Sequence, residues 1–181
     1  MNYLQELWAA LDFGSLRDIL LRLASVFLCL TTHETCHGLA AYALGDPTAK
    51  RMHRLSLNPL RHIDWMGLLM MVTLGFGWAK PVPVDPRYFR KPKQGMALTA
   101  LAGPVSNFLL ALVLLVGARI MVDHAAYSAL NQGILDFLVS TAVLSIGLGL
   151  FNLVPIPPLD GAKVLFSLLP DRMYDTMLRY E

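Results

Sequence analysis

Two histidines and a glutamate occur close together in the run His33-Glu34-Thr35-Cys36-His37, inside the first long apolar segment. On a helix of 3.6 residues per turn, His33 and His37 project from successive turns of one face, about 40° apart. Two imidazoles placed in this way can bind one Zn²⁺ ion at about 2.0–2.1 Å each. Glu34 lies beside them, where its carboxylate can take a proton from a water without binding the metal. The pattern therefore predicts a hydrolytic zinc site.

The surroundings of this run strengthen the interpretation. The segment that contains it is long enough to cross a bilayer at about 1.5 Å per residue. Ionised and imidazole side chains at that depth cost several kcal/mol if they do nothing. The alternative is a polar cluster that packs helices together and is satisfied by neighbouring hydroxyl and amide groups.

A zinc site needs a third protein ligand and an open fourth position. Asp160 is the best candidate, because three prolines between the third apolar segment and Asp160 end the helix and let the chain turn back. Gly161 has no side chain where the backbone must come close. The alternative is a loop that ends the helix and carries a solvated Asp160. Other acidic or imidazole groups of suitable depth lie in the basic loop, without anything to fix their positions: His53, His62 and Asp64.

The composition identifies the broad class of protein. Of the 181 residues, 55% are hydrophobic and only 15% are charged, against roughly a quarter charged in ordinary soluble domains. This excludes disordered chains and disfavours a soluble enzyme. A net charge of +2 gives no support for a nucleic-acid partner. We therefore predict an all-α polytopic membrane protein with a single membrane-embedded domain over residues 1–181.

Three apolar segments are predicted to form the core transmembrane helices, over residues 17–44, 95–122 and 134–154. Residues 1–16 are predicted to be an interfacial lead-in helix that lies on the bilayer. Residues 66–84 begin with an apolar stretch too short for a span and continue through prolines that favour extended structure. We expect them to form a re-entrant or edge-strand region between the first and second spans.

The positions of the Lys and Arg residues predict the orientation of these spans. Nine of them lie in residues 45–94 and none in residues 123–133. The middle region and the C-terminus are therefore predicted to be cytoplasmic, in a multi-pass protein of the cytoplasmic membrane. His37 and the end of the third span then reach the same depth, with the metal about 10 Å inside the cytoplasmic end of its helix. The active site is expected to open toward the cytoplasm.

The two cysteines are not predicted to form a disulfide. Cys29 and Cys36 lie seven residues apart, which is about 10 Å along a helix axis and too far for a disulfide. Cys36 is three residues from His33 but points about 60° away from it, so packing is favoured over metal binding. The first residues contain no basic stretch ahead of an apolar core, so no secretory signal is expected.

Together these motifs resemble the site-2 protease family of intramembrane zinc metalloproteases, in a prokaryotic branch with a minimal core. The resemblance covers roughly residues 20–170, and its combination of motifs is specific although each motif alone is not. The motifs that carry it are HETCH, AGPVSN at 102–107 and FNLVPIPPLDG at 151–161, with GDPTAKR, LNPLRHID and GFGWAKPVPV between them. Members of this branch commonly continue into another hydrophobic helix beyond the point where this sequence ends.

The resemblance implies one zinc ion per chain, bound by His33, His37 and Asp160. It implies that Glu34 is the catalytic acid/base. The implied reaction is hydrolysis of a peptide bond in a transmembrane or membrane-proximal segment of another protein, within the lipid bilayer. The oligomeric state and the natural substrate are not implied.

Two asparagines are also assigned by the resemblance. Asn152 is implied to orient the substrate or to stabilise the oxyanion, and Asn107, in the small-residue stretch that permits close helix packing, is implied to do similar work. A helical substrate must unwind locally before cleavage, and the extended residues 79–84 are a hypothetical docking strand for it. Unchanged cleavage after disruption of that edge would contradict the docking hypothesis.

Two other classes of function fit part of the pattern. A catalytically silent zinc-binding scaffold or regulator would keep the metal ligands, but binding alone does not require Glu34. A metal transporter would carry polar ligands along several spans. The middle of the second span offers only Asn107, and the third offers only the hydroxyl groups of Ser140, Thr141 and Ser145, which argues against transport.

Overall fold

The computed structural model describes residues 16–74, 78, 80–124, 128–170 and 174, which together form an all-helical fold. Six α-helices are present in these residues: α1 (Leu16–Ala43), α2 (Thr48–Arg51), α3 (Trp65–Leu74), α4 (Pro92–His124), α5 (Ala129–Asn152) and α6 (Asp160–Ser167). Two short 3₁₀ turns lie at Pro59–Arg61 and Pro86–Tyr88. The described residues contain no β-strand.

Three of these helices are long and apolar enough to cross a membrane, which confirms the predicted number of core helices. The apolar stretches are Arg17–Ala43, Pro92–His124 and Leu130–Asn152. At most 28% of the most apolar part of each is buried inside the protein, so most of these side chains face outward, as lipid contact requires.

The second and third helices begin earlier than the sequence predicts, for local reasons. α4 starts at Pro92, because the missing N–H of proline is no loss in a first helical turn. α5 is preceded by Ser128, whose hydroxyl oxygen accepts a hydrogen bond from the N–H of Asn131. Both starts lie in polar stretches that carry no hydropathy signal.

Small and hydroxyl side chains join the three long helices. Ser25 of α1 and Thr141 of α5 share a hydrogen bond of 2.6 Å between their hydroxyl groups. The Ser145 hydroxyl of α5 donates to the backbone carbonyl of Asn107 on α4 at 2.8 Å. Such contacts replace the hydrophobic driving force that is missing between helices in lipid. They fix α1, α4 and α5 around the polar residues of α1.

The segment from His62 to Lys80, which follows the first span, begins and ends at neighbouring positions. Asp64 caps α3 by accepting a hydrogen bond from the N–H of Gly67 at 2.9 Å. A Cβ on Gly67 would lie 2.1 Å from the carbonyl oxygen of Trp78, so only glycine permits this approach. The N–H of Lys80 then donates to the carbonyl of His62 at 2.9 Å. The chain therefore enters and leaves this segment at neighbouring positions.

The edge-strand alternative for residues 66–84 is not met by residues 80–84, which are extended but belong to no strand. Pro81 and Pro83 have no N–H to donate to a β-ladder. The N–H of Val82 donates to the Glu34 carboxylate instead. The lead-in helix predicted for residues 1–16 lies outside the described residues, apart from Leu16, where α1 begins.

A proline-rich turn brings α6 back to the bundle. The Pro157–Pro158 peptide bond is cis, and α6 begins two residues later at Asp160. A Cβ on Gly161 would lie 2.2 Å from the carbonyl oxygen of Leu153, which confirms the close backbone approach predicted there. Ala162 and Phe166 of α6 are buried, so packing holds the first turn of this helix in place.

Candidate active site

Three side chains from two distant parts of the chain meet at one point. The Nε2 atoms of His33 and His37 lie 3.0 Å and 3.1 Å from Oδ2 of Asp160. One ligand atom from each residue lies within 4.8 Å of the others, and all three side chains are buried. These spacings are close to the separation of about 3.3 Å between tetrahedral ligands of one zinc ion. The group could therefore hold a metal ion.

Gly103 of α4 makes room for the two imidazoles. A Cβ on this residue would lie 2.5 Å from Nε2 of His37 and 2.6 Å from Cε1 of His33. The two rings pack edge to face, with centroids 4.5 Å apart. The pair therefore rests directly on the backbone of α4, and the space it fills exists only because residue 103 has no side chain.

Replacing Gly103 with alanine should weaken zinc binding by about tenfold or more, because the added methyl group must displace both rings from their converging positions. Zinc per purified chain, measured in competition with a chelator, checks this. Gly117→Ala on the same helix is the matched control, since a Cβ there meets no atom within 4 Å. Equal zinc affinity in the two variants would contradict the role of Gly103.

The backbone of α4 determines which nitrogen of His37 carries hydrogen. Nδ1 of His37 lies 2.7 Å from the carbonyl oxygen of Thr99. A carbonyl oxygen only accepts, so Nδ1 carries a hydrogen, and in the neutral imidazole that binds a metal the lone pair is then on Nε2, which faces Asp160. A backbone carbonyl on the far nitrogen is a common support for histidines that bind metals.

Asn107 supports His33 from behind. Its amide nitrogen lies 3.1 Å from Nδ1 of His33, and its Oδ1 is buried without a hydrogen-bond partner. An amide turned by 180° would accept the Nδ1 hydrogen of His33 and leave Nε2 to bind a metal. Asn107 is 0% exposed and is not among the residues that line the cavity in front of the histidines.

That cavity has a volume of about 360 Å³, within the range of small-molecule and cofactor sites. Besides His33, His37 and Asp160, its wall includes Glu34, Asn152, and Pro81 and Val82 of the extended chain. The amide nitrogen of Asn152 donates to the carbonyl of Leu148 at 2.9 Å. Glu34 and Asn152 therefore face the same space as the metal-binding group.

Residues 80–85, which we call the strap, cross the mouth of this site. The N–H of Val82 donates to Oε2 of Glu34 at 2.9 Å. This contact fixes one oxygen of the carboxylate. The described contacts leave Oε1 of Glu34 for other partners.

The charge of Asp160 is maintained by its neighbours. Burial raises the pKa of its carboxyl group, but hydrogen-bonding and charge interactions with His33 and His37 together lower it by more. The resulting pKa lies below the usual range of an aspartate. Asp160 is therefore ionised at neutral pH, as a metal ligand must be.

The other candidate ligands lie elsewhere. Cys36 is half-buried and outside the metal-binding group. His62 has Nε2 2.7 Å from the carbonyl of Ser56, and Asp64 caps α3. Sequence reasoning missed the carbonyl of Thr99 and the N–H of Val82, because nearly every residue carries such backbone groups. Gly103 lies in the small-residue stretch that the sequence analysis assigned only to close helix packing.

Comparison with known proteins gives consistent matches. A model of peptidase family M50 matches residues 116–178, which include Asn152 and Asp160. The protein named "Putative zinc metalloprotease YwhC" from Bacillus subtilis is 39% identical over 162 residues, covering 87% of this chain and 73% of that protein. No solved structure gives a significant match.

Two mycobacterial proteins named "Putative zinc metalloprotease Rip2" are also similar. The one from Mycolicibacterium smegmatis is 32% identical over 153 residues, covering 81% of this chain and 56% of that protein. The one from Mycobacterium tuberculosis is 34% identical over 146 residues, covering 77% and 53%. The chain therefore spans little more than half the length of these two relatives.

Proposed function

Because this chain belongs to peptidase family M50, the site-2 protease family, we propose that it hydrolyses peptide bonds within or near transmembrane segments of other membrane proteins. The observation that carries the proposal is the convergence of His33 and His37 of α1 with Asp160 of α6 beside a cavity that Glu34 also lines. A silent scaffold does not need a carboxylate in that position.

The donor set fits zinc. Two imidazole nitrogens and one carboxylate oxygen are ligands that zinc prefers, and catalytic sites use three protein ligands. In the proposal, His33, His37 and Asp160 hold one ion per chain. A zinc ion bound there supplies Lewis acidity, which activates water and polarises the carbonyl of a peptide bond.

Glu34 is the proposed general base and acid. Its carboxylate accepts a proton from the attacking water and returns it to the leaving amine. Since the N–H of Val82 occupies Oε2, Oε1 is the oxygen proposed to carry the proton. A carboxylate held by a backbone donor has little freedom to turn away from the substrate.

The two asparagines are proposed to act differently. Asn152 lines the cavity and uses one amide hydrogen for the carbonyl of Leu148, so its second hydrogen is free to stabilise the oxyanion. Asn107 contacts His33 behind the site. For Asn107 we therefore favour orientation of the His33 ring over the oxyanion contact that the sequence suggested.

The proposed setting is a multi-pass protein of the cytoplasmic membrane, with residues 1–181 as one membrane-embedded domain. The neighbouring ends of the segment from His62 to Lys80 support a re-entrant piece rather than a fourth span. With that piece on the cytoplasmic side, the basic residues of the middle region stay together, as positive-inside orientation favours. The cavity then opens toward the cytoplasm.

Metal removal tests this proposal. The purified chain in proteoliposomes, with a tagged single-span membrane protein as substrate, should cleave the substrate, lose cleavage with a zinc chelator, and regain it when zinc is returned. Zinc binding without cleavage of any single-span substrate tried would favour the scaffold. Zinc uptake into the vesicles without cleavage would favour a transporter.

A further inference from the structure

We propose that Arg54 and Asp46 are positioning residues that hold the two ends of the strap, so that the N–H of Val82 keeps the Glu34 carboxylate aimed into the cavity. The inference rests on the proposed function, because it concerns the general base of that reaction. It gives a role to the basic loop and to the GDPTAKR motif, which the metal site does not use.

Arg54 holds the start of the strap. Its Nη2 donates to the carbonyl oxygens of two consecutive residues, Lys80 at 2.6 Å and Pro81 at 3.2 Å. One guanidinium nitrogen carries two hydrogens, so it can satisfy both carbonyls at once. The backbone before these two carbonyls is also fixed, since the N–H of Lys80 donates to the carbonyl of His62. The residue that follows these two carbonyls is Val82.

Asp46 holds the end of the strap. Its carboxylate is 0% exposed, and Oδ2 accepts the N–H of Asp85 at 2.7 Å. Oδ1 accepts hydrogen bonds from the N–H and the hydroxyl of Thr48. A buried carboxylate is costly unless donors surround it, and here one of the donors comes from the strap. The N–H of Asp46 donates to the carbonyl of Ala41 at 2.9 Å, which ties this anchor to α1.

The middle of the strap has few donors of its own. Pro81 and Pro83 have no N–H, so Val82 and Val84 carry the only N–H groups between the two anchors. Val82 is buried and would meet a Cβ on Gly38 of α1 at 3.2 Å. A strap held at both ends therefore places the N–H of Val82 at a defined position beside Glu34. A strap released at one end leaves that hydrogen bond with less support from the anchors.

The test uses the full-length, zinc-loaded chain in proteoliposomes. Arg54→Met removes both donors and keeps a side chain of similar length. We expect zinc per chain to stay unchanged, kcat to fall about tenfold, and KM to change less than about twofold, because Glu34 is misaligned while the cavity remains. Deuterium exchange of a peptide over residues 80–88 should rise. Arg54→Lys, which keeps a multiple donor, should recover most of the lost kcat.

Two further comparisons isolate the route through the strap. Val82→Pro removes the N–H that Glu34 accepts, so adding Arg54→Met to it should cause little further loss of kcat. Asp46→Asn should raise exchange and lower kcat as Arg54→Met does. Lys50→Met is the control, because Lys50 contacts the Tyr42 hydroxyl of α1, away from the strap, and should change neither readout.

Several results would overturn the inference. The inference fails if Arg54→Met leaves deuterium exchange over residues 80–88 unchanged, or raises it while kcat stays normal. It also fails if Arg54→Met raises only KM, or if its loss of kcat adds in full to the loss caused by Val82→Pro. Failure of the proposed function is distinguishable, because it would show as no cleavage by the unsubstituted chain. Exchange over residues 80–88 would still report in that case whether Arg54 and Asp46 hold the strap.

Discussion

Glu34→Gln is expected to abolish cleavage while the protein keeps its full zinc content. Glutamine has nearly the same shape as glutamate and can still accept the N–H of Val82, but it cannot take a proton from water at neutral pH. General acid–base catalysis contributes about 10²–10⁴-fold. Because Glu34 is proposed to act in both proton transfers, we expect a loss of about 10³-fold or more in kcat. Cleavage rate and zinc per chain, measured on the same preparation, check this.

The matched control for this variant is Asp136→Asn. Asp136 lies on α5 and accepts a hydrogen bond from Gln132 at 3.1 Å, and it is not among the residues around the cavity. The Asp136→Asn variant loses the same charge as Glu34→Gln and should cleave the substrate at the normal rate. A Glu34→Gln enzyme that cleaves at the rate of the unsubstituted chain would remove Glu34 from the mechanism. Loss of zinc in that variant would instead make Glu34 part of the metal site.

The parts of the site that could be predicted depend on local geometry. His33 and His37 are four residues apart on one helix, so the periodicity of the helix alone places them on one face. Asp160 was predictable because proline and glycine constrain the chain that follows the third span. The three long helices followed from length and hydropathy. In each case a short stretch of sequence contains the whole physical cause.

The parts that could not be predicted depend on contacts between distant backbone groups. The carbonyl of Thr99 and the N–H of Val82 act on His37 and Glu34, yet no side chain marks either group. The valines and prolines of residues 81–84 favour an extended chain, and the structure has one. Whether an extended chain pairs with a strand depends on its neighbours, and here a carboxylate of α1 takes the N–H that a partner strand would need.

Asp160→Ala is expected to lose zinc and activity together, with at least about a hundredfold weaker zinc binding. Only two protein ligands would remain, and a catalytic zinc site needs three. The two histidines would also lose the carboxylate that lies 3.0 Å and 3.1 Å from their Nε2 atoms. Zinc affinity by competition with a chelator, together with cleavage rate, measures both effects.

The comparison with Glu34→Gln makes this result specific, because that variant is expected to lose activity with zinc in place. Asp160→Asn adds an intermediate case, since it keeps an oxygen of similar position but removes the charge, and it should bind zinc more weakly than the unsubstituted chain and more tightly than Asp160→Ala. Because Asp160 is the first residue of α6, its position depends on the packing of Ala162 and Phe166, which neither substitution touches. Full zinc affinity in Asp160→Ala would therefore mean that another group completes the site. The contact of Asp160 with the two histidines of α1 would then have a different role.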